Sequence, residues 1–153
     1  MSKTSSIRVN EYYDGGVVRI EHVRVPSKRV GYTNENGVLV AKVPPGVPDF
    51  EAGIRRAFTG TMPRWPLTGR LLVGIGINLP KRNYVTMDVD NMAKAIVDAF
   101  KGVAYEDDAQ IDCLVTSKSV AQRWSTWVAF RTLGTDTKSW FLEPMLIKVP
   151  DAA

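Results

Sequence analysis

Residues 88–112 read DVDNMAKAIVDAFKGVAYEDDAQID, and their apolar members recur at a helical interval. Met92, Ile96, Ala99 and Phe100, with Ala93 beside them, form one stripe, which predicts a helix from Asp90 or Asn91 to about Lys101. A helix of about three turns with one apolar side has to lie on a core, and Gly102 suits its end. This fixes Asp88 and Asp90 at the head of the helix and leads Glu106, Asp107 and Asp108 away from its foot. Asp90, Lys94 and Asp98 share a more polar stripe at i, i+4, i+8. The stretch holds seven carboxylates in a chain of formal net charge +4, so it is either a solvated face or a metal site.

The rest of the chain supplies mostly strands. RLLVGIGINLP alternates, with Val73, Ile75, Ile77 and Leu79 on one face and Gly74, Gly76 and Asn78 on the other. That second, flat face predicts close packing of a helix or a partner chain. GIGINL is not a dinucleotide fingerprint, because Leu79 stands where the third glycine belongs and no helix opens there. AQIDCLVTSKS reads as a strand, and WSTWVAFRTLG as another able to pair with it. Upstream, IRVNEYYDGGVVRIEHVRV predicts a hairpin turning at Asp14, Gly15 and Gly16, and KRVGYTNENGVLVAK a second one turning at Asn36 and Gly37. After VPPGVP, Asp49 is expected to cap a short helix that buries Phe50, Ile54 and Phe58. Residues 1–6 read as a polar tail, and SWFLEPMLIKVP as an apolar segment interrupted by Pro144. For 153 residues without a repeat or linker, this pattern predicts a single α+β domain: a mixed β-sheet with helices packed against it.

Composition narrows the chemistry. With Cys113 the only cysteine and His22 the only histidine, a zinc set of those residues is excluded, and any bound metal must be held mainly by oxygen, as Mg²⁺ or Mn²⁺ is. No apolar run is long enough to span a membrane and MSKTSSIRV lacks a signal-peptide core, so a cytoplasmic protein is expected. The sequence pI of about 9.3 favours an anionic partner such as nucleic acid. If Tyr84–Asp90 is extended, Asp88 and Asp90 project to one side and can reach one cation. Asp108 would lie with Gln110 and Asp112 on one face of the next strand and Asp107 on the other, and alternation does not say which of the two faces a metal. Three carboxylates and a lysine suffice for phosphodiester hydrolysis, since a metal polarises the phosphate and acidifies the attacking water.

Capping aspartates and exposed acid runs account for the same spacings, so both readings stand at this point. Asp98 and Asp112 are assigned to the bland one, as a solvated helix position and a strand-face residue. His22 reads as a strand-rim residue and Cys113 as a small buried one. Trp124, Trp127, Trp140 and Phe141 read as core or dimer contacts. A phosphotransferase of the haloacid dehalogenase kind has a similar D-x-D and a later acidic pair, but several strand and helix units between them; here one helix intervenes. An EF-hand starting at Asp88 fails because Ala93 replaces its glycine and Ala99 its closing glutamate.

The composite of D-x-D-N, three residues to a lysine, a short amphipathic helix and D-D-A-Q before an apolar strand resembles the RusA family of Holliday junction resolvases. Asp88, Asp90, Asn91, Lys94, Asp107, Asp108, Ala109 and Gln110 carry the likeness, which is strong over about residues 84–118. It departs where Pro26 stands alone in the Pro-Ser loop and Lys28 replaces a frequent asparagine. The family-like core is expected over about 18–132, with the N-terminal hairpin and residues 134–150 as additions. The resemblance implies a homodimeric, Mg²⁺- or Mn²⁺-dependent endonuclease that resolves four-way DNA junctions by paired symmetric nicks in recombination and repair. It implies Asp88, Asp90 and Asp108 as metal-binding catalytic acids, Lys94 as the essential lysine at the scissile phosphate, and Asn91 and Asp107 in support; a separate structural expectation is that the three carboxylates converge within reach of one ion. Lys81, Arg82 and Lys118 are added as phosphate contacts from charge and position. A metal-dependent nuclease for flaps or other branched DNA is the nearest alternative. A junction-binding protein that does not cut is the alternative of another class, and it has no use for three acids beside phosphates.

Overall fold

The computed structural model describes residues 5–12, 14–29, 31–59 and 64–134. In chain order these form β1 (Ser6–Tyr12), β2 (Gly15–Glu21), β3 (Gly31–Glu35), β4 (Val38–Lys42), α1 (Val47–Ala57) and β5 (Leu71–Leu79). They continue with α2 (Lys81–Tyr84), α3 (Val89–Phe100), β6 (Ile111–Val120) and β7 (Ser125–Thr132). The chain is a single α+β domain built on a mixed sheet of order β1-β2-β7-β5-β6, and β3 and β4 pair as a separate hairpin. Trp140, Phe141 and the apolar segment around Pro144 lie outside the described residues.

Alternation along β5 sorts its side chains as expected: Leu71, Val73, Ile75, Ile77 and Leu79 are buried. They join Val18 and Ile20 of β2, Val128 and Phe130 of β7, Phe50 and Ile54 of α1, and Met92, Ile96 and Phe100 of α3 in one core. The foot of α3 is fixed by edge-to-face rings, with Phe100 centred 5.0 Å from Phe130 and 5.9 Å from Phe58. On the opposite face of β5, a Cβ built at Gly76 would meet nothing within 4 Å, so no helix among the described residues covers the glycines.

Several local expectations change. β5 and β6 are parallel, while β7 pairs antiparallel with β5 and β2 and not with β6. Parallel neighbours need a crossover, and α2 and α3 supply it. Gly15 and Gly16 belong to β2 and not to the turn. A Cβ at Gly15 would lie 1.9 Å from the Phe130 carbonyl oxygen, and one at Gly16 2.6 Å from the Trp65 ring, so both positions serve close approach. The second hairpin turns as expected, with positive φ at both Asn36 and Gly37. Gly46, with φ 83°, precedes α1 as its N-cap, and Asp49 sits within the first turn, where a carboxylate still suits the helix dipole.

Candidate active site

The head of α3 follows the C-terminal end of β5. Lys81–Met87 is not extended. The N–H groups of Asn83 and Tyr84 bond to the Pro80 carbonyl, and those of Thr86 and Met87 to the Asn83 carbonyl, which winds the segment into turns. Lys118 of β6 holds it there. Its ammonium donates to the carbonyls of Tyr84 (2.8 Å) and Met87 (2.7 Å) and lies 4.6 Å from the centre of the Tyr84 ring. Lys118 is therefore a tie beneath the acidic motif, while Lys81 and Arg82 stand exposed on α2.

Asp88 and Asp90 are thus not alternating strand residues. Asp88 is the extended N-cap of α3 and Asp90 lies in the first turn. An N-cap aspartate ordinarily accepts from the N–H groups of that turn, but the Asp88 side chain makes no such bond; its one partner among the described residues is the Asn91 amide, which donates to Oδ2 at 3.3 Å. No partner is found for the Asp90 carboxylate among the described residues. Lys94 is exposed, and its ammonium lies 3.8 Å from Asp98. Asp98 is not the solvated residue expected: its side chain is 18% exposed and accepts from Lys28 at 2.5 Å.

The second acidic group precedes β6 and is built differently. Asp108–Gln110 forms a 3-10 turn, so alternation does not apply to Asp108. Asp107 is the N-cap and accepts from the Ala109 N–H at 2.9 Å. The Gln110 side chain reaches back to accept from Glu106 N–H (2.8 Å) and Asp107 N–H (2.9 Å), a capping box. The Gln110 amide also donates to the Leu67 and Gly69 carbonyls, both at 3.0 Å, which moors the turn to the chain entering β5. Lys101, at the foot of α3, lies 3.0 Å from Asp107 and 3.9 Å from Asp108. The Ala109 N–H and then Lys101 hold the Asp107 carboxyl below its ordinary range, and Asp107 in turn raises Lys101. Burial pushes the nearby Tyr105 hydroxyl up, and Asp108 adds to it. Asp107 and Gln110 are therefore committed to structure, whereas Asp108 Oδ1 is shielded from solvent without a hydrogen-bond partner among the described residues. Asp112 is paired with Arg70, consistent with a strand-face role.

The two groups do not meet within one chain. Ile111, at the start of β6, is in register with Leu71, at the start of β5, so Asp108 lies by the end of β5 opposite to the one that leads into Asp88. Eight residue steps of strand, about 26 Å, separate those ends. Accordingly, no group of three acidic, histidine or cysteine side chains close enough to hold a metal occurs among the described residues.

A family model described as "Endodeoxyribonuclease RusA" matches residues 22–129, well over half of the chain. The chain belongs to the RusA endodeoxyribonuclease family. All the candidate acids and lysines fall inside the matched span, as does the capping box that rigidifies DDAQ. A search among curated proteins finds no match. No helix among the described residues of this RusA-family chain is long and apolar enough to cross a membrane.

Lys101 and the capping role of Gln110 were not singled out from the sequence. The D-x-x-Q spacing at 107–110 carried the signal for the second. Lys101 had only the general preference of cations for helix C-termini.

Proposed function

We propose that this chain is a homodimeric, Mg²⁺- or Mn²⁺-dependent endonuclease that cuts four-way DNA junctions by paired symmetric nicks in recombination and repair. The observation that carries the reading is the division of labour in DDAQ. Asp107 and Gln110 satisfy the backbone, and Asp108 is left with a shielded oxygen that only a proton, a donor or a cation can satisfy. Asp88 and Asp90 are likewise held at a helix start without being spent on capping it. Oxygen donors of this kind fit a hard divalent cation.

Asp88, Asp90 and Asp108 would hold the ion, which when bound supplies Lewis acidity at the phosphate and a more acidic water. Because the two acidic groups stand at opposite ends of β5, sharing one ion requires that they come from different copies of the chain. Two-fold symmetry then gives two equivalent sites, as two nicks in strands of like polarity require. Lys94, one turn along α3 from Asp90, donates to phosphate or orients water, and Lys81 and Arg82 contact the DNA backbone beside the head of α3. Asn91 steadies Asp88, and Asp107 steadies the turn that carries Asp108.

The test compares a mobile four-way junction, a flap and a linear duplex with Mg²⁺, Mn²⁺ or EDTA, in the wild type and Asp90→Asn. Paired junction nicks that need metal and vanish in the variant are expected. Preferential cutting of the flap would replace this reading with a flap nuclease, and junction binding without cutting under any metal would end the enzyme claim.

A further inference from the structure

We propose that Asp98 is a positioning residue for Lys94, and that Lys28 is the tether that fixes Asp98 for that task; the inference rests on the reading of Lys94 as part of the active site. Lys28 lies in the strap after β2 and fastens it to α3 at two levels. Its N–H donates to the Asn91 carbonyl at 3.1 Å, and its ammonium donates to Asp98 Oδ2 at 2.5 Å. Asn91 and Asp98 are seven residues apart, so both points lie along one side of the helix. Glu51 of α1 is 3.9 Å from the same ammonium, which makes Lys28 the junction of strap, α1 and α3.

The Asp98 oxygen that accepts from Lys28 is also the one 3.8 Å from the Lys94 ammonium. That separation is too long for a hydrogen bond, so Lys94 keeps its three donors while the carboxylate restricts where its flexible stem carries them. With the oxygen engaged by Lys28, Lys94 is not drawn into a closed i,i+4 pair that would pull it toward the foot of α3. Lysine preceding the acid is also the weaker order for such a pair. The exposures agree with a fixed pair and a free neighbour: 27% for Lys28 and 18% for Asp98, against 57% for Lys94.

A simple staple between strap and helix makes different predictions. The experiment measures single-turnover junction cleavage with Mn²⁺, junction affinity, thermal midpoint and the side-chain ¹⁵N resonance of Lys94 in the full-length protein. The variants are Asp98→Asn, Asp98→Glu, Lys94→Met and the double exchange Lys28→Asp with Asp98→Lys. Asp98→Asn should slow cleavage about tenfold or more, as loss of a supporting partner does at other sites. Junction affinity should stay the same or rise, because a negative charge is removed near DNA. The Lys94 resonance should move, and Asp98→Glu should restore most of the rate. The exchange re-forms the 28–98 pair but sets a carboxylate beside Glu51 and an ammonium beside Lys94, so it should recover part of the thermal midpoint and none of the rate. Recovery of both, or an unmoved Lys94 resonance in Asp98→Asn while Lys94→Met is inactive, overturns the inference alone. A Lys94→Met variant that cuts like the wild type overturns it together with the reading of Lys94.

Discussion

The two ends of the β5–α3–β6 crossover carry aspartates in cap positions and use them in opposite ways. At the foot, Asp107 caps its turn, Gln110 closes the box and Lys101 pairs with Asp107, which leaves Asp108 Oδ1 without a hydrogen-bond partner among the described residues. At the head, Asp88 occupies the N-cap without capping, and Asp90 has no partner among the described residues. Local stability favours the first arrangement, and a chain selected for folding alone would show it twice. On the proposed reading this contrast separates the structural acids from those that would hold the ion, a distinction invisible in the bare count of carboxylates.

Substituting the reserved acids should break this contrast most severely. Asp90→Asn or Asp108→Asn should lower junction cleavage on the order of 10³-fold in single-turnover assays, with the thermal midpoint unchanged or raised. Mixed dimers sharpen the point. A heterodimer of Asp90→Asn and Asp108→Asn subunits should recover nicking at one of its two sites, since one site then holds only intact acids. Acids sharing an ion within one chain would leave both sites dead.

Gln110→Ala should act on the other side of the comparison. It removes four hydrogen bonds from the foot, so a loss of about 2 kcal/mol in urea unfolding is expected, with a far smaller effect on metal-saturated cleavage than Asp108→Asn. Lys118→Met separates a tie from a DNA contact. If Lys118 chiefly holds the Tyr84 and Met87 carbonyls, stability falls by about 1 kcal/mol and the salt dependence of junction binding is unchanged. A phosphate contact would instead lower the salt slope by about one.

The smallest effect is in pH. The Asp107 carboxyl is held below its ordinary value of 3.8, so the stability it contributes is present above that pH and lost as pH falls through the lowered value. Asp107→Asn should therefore lower stability slightly at neutral pH and flatten its acid limb, the two proteins converging once Asp107 is protonated, as acid unfolding curves would record.

Much of the fold was legible. The stripe of Met92, Ile96, Ala99 and Phe100 located α3 to within two residues, and alternation in β5 gave its buried face, because both patterns are local consequences of burial. Strand neighbours were not legible, since insertion of β7 between β2 and β5 depends on contacts far apart in sequence. The same limit hid Lys118 beneath Met87 and Lys28 on Asp98, each bonded to a residue more than thirty positions away. Asp108 could not be told from Asp107 by alternation because the pair lies in a turn and not in a strand. The Gln110 spacing could have resolved it.

Divalent-ion binding to the intact protein separates acids that hold an ion from the acid that caps a turn. Titrating Mn²⁺ into wild type, Asp90→Asn, Asp108→Asn and Asp107→Asn by calorimetry should show binding that is lost on changing Asp90 or Asp108 and retained on changing Asp107. Equal binding in all four proteins, or loss only with Asp107→Asn, would contradict that division.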